Sequence, residues 1–209
     1  MPSNSRFNFL CLCNLLKRKN VDILLDAFDD EFRGGDVGLG LLYNDTFNLF
    51  KHYESLLTSF CKNNSNIFCK KLNVPRNILV DIYNGYDVFV LATSGEGFCM
   101  PAMESLACEK PVIITGWGTI KDIYNEMKSV KFIDYKLVDI SLSNMQPQKC
   151  YLGHKWALPD YFSLRKSMRD VYQNYTFYCK FAKQDRKRVE LNYDINVIAS
   201  QVVKEYFNE

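Results

Sequence analysis

Two glutamates, Glu96 and Glu104, carry the most specific chemical signal in the chain. Seven residues separate them, and Pro101 between them suits the first turn of a helix, where its missing N–H costs nothing. A helix N-terminus offers free N–H groups and a positive dipole end, which together bind phosphate. Carboxylates beside it can accept hydrogen bonds from several hydroxyl groups. A phosphate next to a polyhydroxyl group describes a nucleotide sugar.

The residues around these glutamates predict a strand, a loop, a helix and a second strand. The apolar stretch 87–93 (DVFVLAT) is typical of a strand that is buried on both faces. The loop 94–100 (SGEGFCM) contains two glycines, which we expect where the backbone needs conformational freedom. A helix over 101–108 and a strand over 111–115 (PVIIT) complete what we interpret as a tight parallel βαβ unit.

Residues 96–113 (EGFCMPAMESLACEKPVI) closely resemble the signature of the retaining GT-B glycosyltransferases of family four. Its usual form is Glu-Gly-Phe-Gly-Leu-Pro, followed by Glu-Ala-Met-Ala-Cys-Gly-X-Pro-Val-Ile. Besides both glutamates, the matching residues are Gly97, Phe98, Pro101, Ala107, Cys108, Pro111 and Val112. The alternative is a generic Rossmann-type βαβ unit whose acidic side chains are merely solvated. Apolar patterning alone does not demand this order of residues, which favours the resemblance.

A basic turn provides the second part of the candidate site. Residues 7–13 (FNFLCLC) predict a first strand, and a helical apolar pattern follows the basic turn 17–19 (KRK). The resemblance implies that Lys19, with Arg18 beside it, contacts the diphosphate of the donor. Asn14 stands where the family usually has an arginine, and it can hydrogen-bond a phosphate or sugar without neutralising charge. A solvated surface turn is the alternative interpretation of these basic residues.

The resemblance also implies roles for the other candidate residues. Glu96 would bind hydroxyl groups of the sugar, and Glu104 would bind those of the ribose. Val74, in the short loop before a predicted helix, would pack on the nucleotide base. Catalysis would be chiefly electrostatic, by stabilisation of the leaving diphosphate. The catalytic candidates are Glu96, Lys19 and Arg18. The donor-binding candidates, besides Asn14, Glu104 and Val74, are Gly97, Phe98, Cys99, Met100 and Pro101.

Two further segments leave alternatives open. The turn 116–119 (GWGT) follows a predicted strand, and it either closes over the donor or forms an ordinary turn with an exposed or core tryptophan. Residues 151–159 (YLGHKWALP) are similar to a Gly-X-X-Trp-X-X-Pro element of some family members. We interpret His154 within this segment as a surface or packing residue rather than a catalyst.

Composition excludes several other classes of protein. The 209 residues include 26 basic and 24 acidic side chains, so the net charge of +2 gives no argument for binding to nucleic acid. Eight cysteines without a C-x-x-C pair and only two histidines give little support for a zinc site, and we expect no metal. The cysteines are typical of a reducing compartment. Without an apolar run of membrane-spanning length or a signal peptide, the expected location is the cytoplasm.

The resemblance implies an α/β fold with a Rossmann-like, mostly parallel sheet and helices on both faces, equivalent to the C-terminal half of a GT-B fold. Residues 1–209 would form a single nucleotide-sugar-binding domain, without the N-terminal acceptor domain. The implied activity is transfer of a sugar from a UDP- or GDP-linked donor to an unidentified acceptor with retention of configuration. No cofactor besides this donor is expected.

Two explanations of a chain of this length stay open. It is either the donor-binding part of a split or longer transferase, or a non-catalytic nucleotide-sugar-binding subunit. A GT-B epimerase or phosphorylase is a third interpretation, although a phosphorylase needs a cofactor lysine that the sequence does not identify. The expected partners are the nucleotide sugar, a separate acceptor-binding domain, or a second copy associated through exposed apolar surface.

Overall fold

The computed structural model describes residues 6–46, 48, 50–140 and 151–207. Six parallel strands in this part of the chain form one sheet: β1 (Phe7–Asn14), β2 (Val37–Asn44), β3 (Ile67–Lys71), β4 (Val88–Leu91), β5 (Val112–Thr115) and β6 (Val130–Ile133). Their order in the sheet is β3-β2-β1-β4-β5-β6. The direction of the connections reverses between β1 and β4, so the carboxyl ends of these two strands form the crevice where such folds bind ligands.

Helices cover the sheet and extend the chain beyond it: α1 (Val21–Phe32), α2 (Phe50–Asn63), α3 (Arg76–Asn84), α4 (Met100–Ala107), α5 (Thr119–Tyr124), α6 (Tyr161–Gln173), α7 (Tyr175–Tyr193) and α8 (Ile195–Phe207). A single turn of 3-10 helix, Lys17–Lys19, precedes α1. Within the described ranges, no helix is both long and apolar enough to cross a membrane.

The core shows why the central strands are almost entirely apolar. Successive side chains of a strand point to opposite faces of the sheet, and both Phe9 and Leu10 of β1 are buried. Phe9 packs against Phe28 and Phe32 of α1, with ring centroids 6.3 and 5.6 Å away. Both faces of the sheet are therefore covered, which confirms the predicted α/β architecture.

A two-stranded antiparallel ribbon follows β6. Strand β7 (Tyr135–Asp139) pairs with β8 (Lys155–Pro159), and we call this pair the β7–β8 ribbon. It carries its own small apolar cluster around the buried side chains of Ile140 and Trp156. The backbone N–H of Ala157 in β8 donates to the carbonyl of Ser94 at 3.1 Å, which attaches the ribbon to the loop after β4.

Candidate functional site

The three residues predicted to be catalytic meet at the carboxyl ends of β1 and β4. One carboxylate oxygen of Glu96, Oε1, accepts hydrogen bonds from Lys19 Nζ at 2.5 Å and from Arg18 Nη1 at 2.7 Å. The hydroxyl of Thr93 donates to the same oxygen at 2.8 Å. The side chains of Lys19 and Glu96 are each only 9% exposed, so these charge-assisted bonds are shielded from water. The second oxygen, Oε2, has no partner among the described residues.

The ionisation of Glu96 depends on these two cations. Burial by itself raises the pKa of the carboxyl group, because a low dielectric disfavours charge. Attraction to Lys19 and Arg18, together with the hydrogen bonds from Lys19 and Thr93, outweighs burial and lowers the pKa below its ordinary value of 4.5. Glu96 is therefore a carboxylate at neutral pH, held as an anion between two cations.

A buried asparagine fixes the basic turn against the loop after β4. Asn20 has a left-handed backbone, with φ of 45°, and begins α1. Its Nδ2 donates to the carbonyl of Ala92 at 2.8 Å and to Ser94 Oγ at 2.9 Å. The N–H of Ser94 in turn donates to the carbonyl of Arg18 at 2.6 Å. No motif in the sequence singles out Asn20, although asparagine between a basic turn and a helix is a residue type that tolerates this conformation.

The loop before α4 is held by its carbonyl groups, which leaves its amides free. Thr119 Oγ1 donates to two loop carbonyls at 2.8 and 2.7 Å, and the hydroxyl of Tyr124 donates to two more at 3.0 and 3.2 Å. These carbonyls belong to Glu96, Gly97, Phe98 and Cys99. The N–H groups of Gly97, Phe98 and Cys99 have no acceptor within the described ranges. Free amides at a helix N-terminus form a site for phosphate oxygens.

The prediction that the loop glycines provide backbone freedom is wrong. Neither Gly95 nor Gly97 has a positive φ; the left-handed residue of the loop is Cys99, with φ of 59°. Gly95 lies close to Trp117 instead: a Cβ there would be 3.2 Å from its ring, which would have to move slightly to make room. Glu109 has the same φ of 59°. Cys99 and Glu109 both occupy positions that are glycine in the usual family signature.

Glu104 lies one turn into α4 and is oriented by a buried tyrosine. The hydroxyl of Tyr83 donates to Glu104 Oε2 at 2.7 Å. Burial, and then this hydrogen bond, raise the pKa of Tyr83 well above its ordinary value, so the phenol stays protonated and donates. The other oxygen of Glu104, Oε1, has no partner in the described part of the chain. Its role toward a ribose stays a prediction.

The other predicted donor-binding residues lie in different surroundings. The ring of Phe98 packs on Tyr193 of α7 at 5.5 Å, so this side chain anchors the loop. Met100 is half exposed, and Pro101 follows it in the first turn of α4. Asn14 ends β1, where its Oδ1 accepts a hydrogen bond from Thr46 at 3.2 Å. Val74 lines a separate cavity of about 530 Å³ against α3 and is not brought to Glu96.

A cavity of about 560 Å³ opens beside the charged cluster. The loops at the edge of the main sheet contribute one part of its lining: Arg18, Gly95, Glu96, Gly97 and Trp117. The β7–β8 ribbon and its connection contribute the other part: Ile140, Tyr151, His154, Lys155 and Trp156. His154, interpreted from the sequence as a surface or packing residue, is therefore exposed at this cavity. The Gly-X-X-Trp-X-X-Pro resemblance was the available signal for this second group.

Comparison with known families decides the membership of the chain. A model of the glycosyl transferases group 1 family matches residues 6–134, which is more than half of the sequence. The chain belongs to the glycosyl transferases group 1 family. No curated protein matches it.

Solved structures of glycosyltransferases share the fold. The C-terminal domain of LpcC, a glycosyl transferase group 1 protein of Francisella tularensis, has a TM-score of 0.69 at 15% identity, with 91% of this chain and 88% of that domain covered. HepE of Anabaena, solved with UDP and glucose, has a TM-score of 0.74 at 14% identity, with 100% of this chain and 50% of the HepE chain covered. Sucrose-phosphate synthase of Thermosynechococcus elongatus has a TM-score of 0.71 at 17% identity, with 100% of this chain and 46% of the synthase chain covered.

These similarities identify the fold as that of a C-terminal GT-B domain. The chain spans about half the length of the HepE and sucrose-phosphate synthase chains. Within the glycosyl transferases group 1 family match lie the charged cluster, the free amides and Trp117. The match ends at residue 134, one residue before the β7–β8 ribbon begins.

Proposed function

We propose that this chain binds a nucleoside diphosphate sugar in the crevice between β1 and β4, as the donor-binding part of a retaining glycosyltransferase of family four. One observation carries the proposal: Arg18, Lys19 and Glu96 meet beside the unpaired amides at the N-terminus of α4. The structure of HepE with UDP, on a similar fold, supports this choice of ligand.

The charges of the cluster suit a diphosphate. Two cations and one carboxylate leave one net positive charge, and the dipole of α4 adds a partial positive charge at its N-terminus. In the proposed complex, Arg18 and Lys19 turn toward the phosphate oxygens, and the free loop amides donate to the same group. The unpaired Oε2 of Glu96 accepts a hydrogen bond from the sugar, and Oε1 of Glu104 accepts one from the ribose.

The same groups would promote transfer. Negative charge grows on the diphosphate as its bond to the anomeric carbon breaks, and preorganised cations stabilise that charge without reorganisation. The acceptor hydroxyl forms the new bond on the face that the diphosphate leaves and passes its proton to a departing phosphate oxygen, which retains the configuration. Because Arg18, Lys19 and the helix dipole supply the positive charge, the proposal includes no resident metal or cofactor.

The proposal places the acceptor on another protein surface. A chain that spans half of HepE would act with a second, acceptor-binding domain, either on a further polypeptide segment or on an associated copy. Helix α8 has no buried residue and exposes six apolar or aromatic side chains that such a partner would cover: Ile195, Ile198, Val202, Val203, Tyr206 and Phe207. The seven cysteines in the described ranges are free thiols, which fits the reducing cytoplasm.

Calorimetric titration with UDP, GDP, UDP-glucose and GDP-mannose tests the proposal. We expect at least one of the nucleotides to bind and the affinity to fall when Lys19 is replaced by methionine, which keeps the length of the side chain and removes its charge. Folded protein that binds none of these ligands would refute the proposal. If the donor is hydrolysed or its sugar is transferred only after an acceptor-domain polypeptide is added, the protein is part of a split enzyme. If the donor binds but neither reaction occurs with that polypeptide, the non-catalytic subunit is favoured.

A further inference from the structure

The cavity beside the charged cluster has two walls of different origin. Arg18, Glu96 and Gly97 form one wall and lie within the glycosyl transferases group 1 match. Tyr151 and His154 belong to the opposite wall, on the β7–β8 ribbon and its connection, after the match has ended at residue 134. One wall therefore lies within the family match, and the other lies outside it.

The ribbon wall is attached firmly to the loop that carries Glu96. The N–H of Ala157 donates to the carbonyl of Ser94, two residues before Glu96. Trp156, beside Ala157, is only 7% exposed and packs with the ring of Tyr151, with centroids 5.7 Å apart. Contacts of this kind fix the distance between the ribbon and the carboxylate, so the ribbon limits what fits next to Glu96.

The lining of the cavity has the chemistry that recognises a sugar. Its volume of about 560 Å³ falls within the range of roughly 300–1,000 Å³ that is typical of small-molecule sites. Trp117 and Tyr151 supply aromatic surface for the apolar C–H groups of a ring. The Tyr151 hydroxyl and the imidazole of His154 add polar atoms that can donate to or accept from sugar hydroxyls. Within the described ranges, the polar atoms of neither side chain form an ion pair or a hydrogen bond.

We propose that the β7–β8 ribbon selects the sugar, with Tyr151 and His154 as specificity-determining residues. The pyranose ring of the donor lies between Glu96 and these two side chains, with Trp117 at its side. The nucleotide is held by the family-like wall and does not touch the ribbon. This inference rests on the proposed function, because it names the part of the same site that distinguishes one nucleotide sugar from another.

Two variants with matched controls test the ribbon. Tyr151→Phe removes one hydroxyl and keeps the ring that packs on Trp156, and His154→Ala removes an exposed side chain. The controls are Tyr172→Phe, at a partly exposed position of α6, and His52→Ala, at an exposed position of α2. Calorimetry measures the dissociation constants of UDP, GDP, UDP-glucose, UDP-galactose, UDP-N-acetylglucosamine and GDP-mannose. The dissociation constant of each nucleotide divided by that of its sugar derivative gives the contribution of the sugar to affinity.

For the preferred donor, each ribbon variant should reduce the contribution of the sugar by about three- to tenfold, as expected for one lost hydrogen bond. The affinity for free nucleotide should stay within about twofold of wild type, and the control variants should change neither quantity. Three results would overturn the inference without overturning nucleotide binding. The variants could lose equal affinity for the nucleotide and the nucleotide sugar, or they could lose no affinity. The third is a wild-type protein that binds each nucleotide sugar no more tightly than the nucleotide. Absence of all binding would instead overturn the proposed function itself, and the inference with it.

Discussion

Replacing Glu96 by glutamine should destabilise the protein, because this carboxylate is the shared partner of two cations. Lys19 and Glu96 are each 9% exposed and Arg18 is 23% exposed, so the lost interactions are largely shielded from solvent. Removing one partner of a buried ion pair costs about 3–5 kcal/mol. The amide oxygen of glutamine can still accept hydrogen bonds, and bonds to charged groups contribute about 1.5–3 kcal/mol. Retained hydrogen bonds offset part of the cost, so we expect a loss at the lower end of the first range, about 3 kcal/mol.

The dependence of this loss on pH has a definite sign. Because the folded protein lowers the pKa of Glu96, its contribution to stability is fully present above the unfolded pKa, near 4.5, and is lost as the pH falls through the folded pKa. The difference in unfolding free energy between wild type and Glu96→Gln should therefore be largest at pH 7 and shrink below about pH 4. Urea unfolding followed by circular dichroism measures it. A loss of 3 kcal/mol lowers the midpoint by about 1.5 M if the denaturant slope is about 2 kcal/mol/M.

An exposed glutamate provides the matched control. Glu109 pairs with Arg186 at 3.3 Å, and the two side chains are 37% and 44% exposed, so Glu109→Gln should cost less than about 1 kcal/mol at any pH. Two results would contradict the electrostatic account of the site: a Glu96→Gln variant as stable as wild type at pH 7, or a stability difference that does not narrow in acid. If Glu96→Gln were as stable as wild type, the repulsion between Arg18 and Lys19 would have to be relieved without the carboxylate.

Substitutions at three further positions have expected outcomes. Glu104→Ala should weaken binding of UDP by about 1–3 kcal/mol in calorimetry, the cost of lost buried hydrogen bonds, and unchanged affinity would refute its ribose role. Asn20→Gly should lower the unfolding free energy in urea by about 2 kcal/mol, since two buried hydrogen bonds at about 1 kcal/mol each are lost while the left-handed backbone is tolerated. Asn20→Ala should cost about 1 kcal/mol more because alanine is strained there; equal losses would argue against that strain. Glu109→Gly should be more stable than Glu109→Ala by about 1 kcal/mol in the same assay, and no difference would show that φ of 59° is not strained.

The sequence predicts the parts of this fold that depend on local patterns. Apolar runs such as 7–13 and 87–93 indicate strands buried on both faces, and the structure has β1 and β4 at these places. The glutamate pair and the basic turn were also predictable, because their residue types follow a recognisable order. That Lys19 Nζ lies 2.5 Å from Glu96 follows only from the strand order, since the two residues are 77 positions apart in the sequence. Placing β1 beside β4 brings the two loops together.

The second wall of the cavity was not predictable for a related reason. Four of the five residues of β7 are exposed, so the strand has no alternating apolar pattern to identify it. It pairs with β8 across a long connection, and Trp156 of β8 packs with Ile140 in a small cluster. Tyr151 and His154 acquire a possible role only through this pairing, because it brings them to the cavity that Glu96 lines.

The conformation of the donor loop shows most clearly where local reasoning ends. Glycines in the loop suggested a flexible backbone, yet the left-handed conformation occurs at Cys99, which has a buried side chain. A non-glycine residue persists there only when its surroundings determine the backbone. Thr119 and Tyr124 provide those surroundings by holding the loop carbonyls, and the amides then face away from these donors, unpaired. The arrangement proposed to bind phosphate is therefore imposed by contacts from α5, not by the flexibility of glycine.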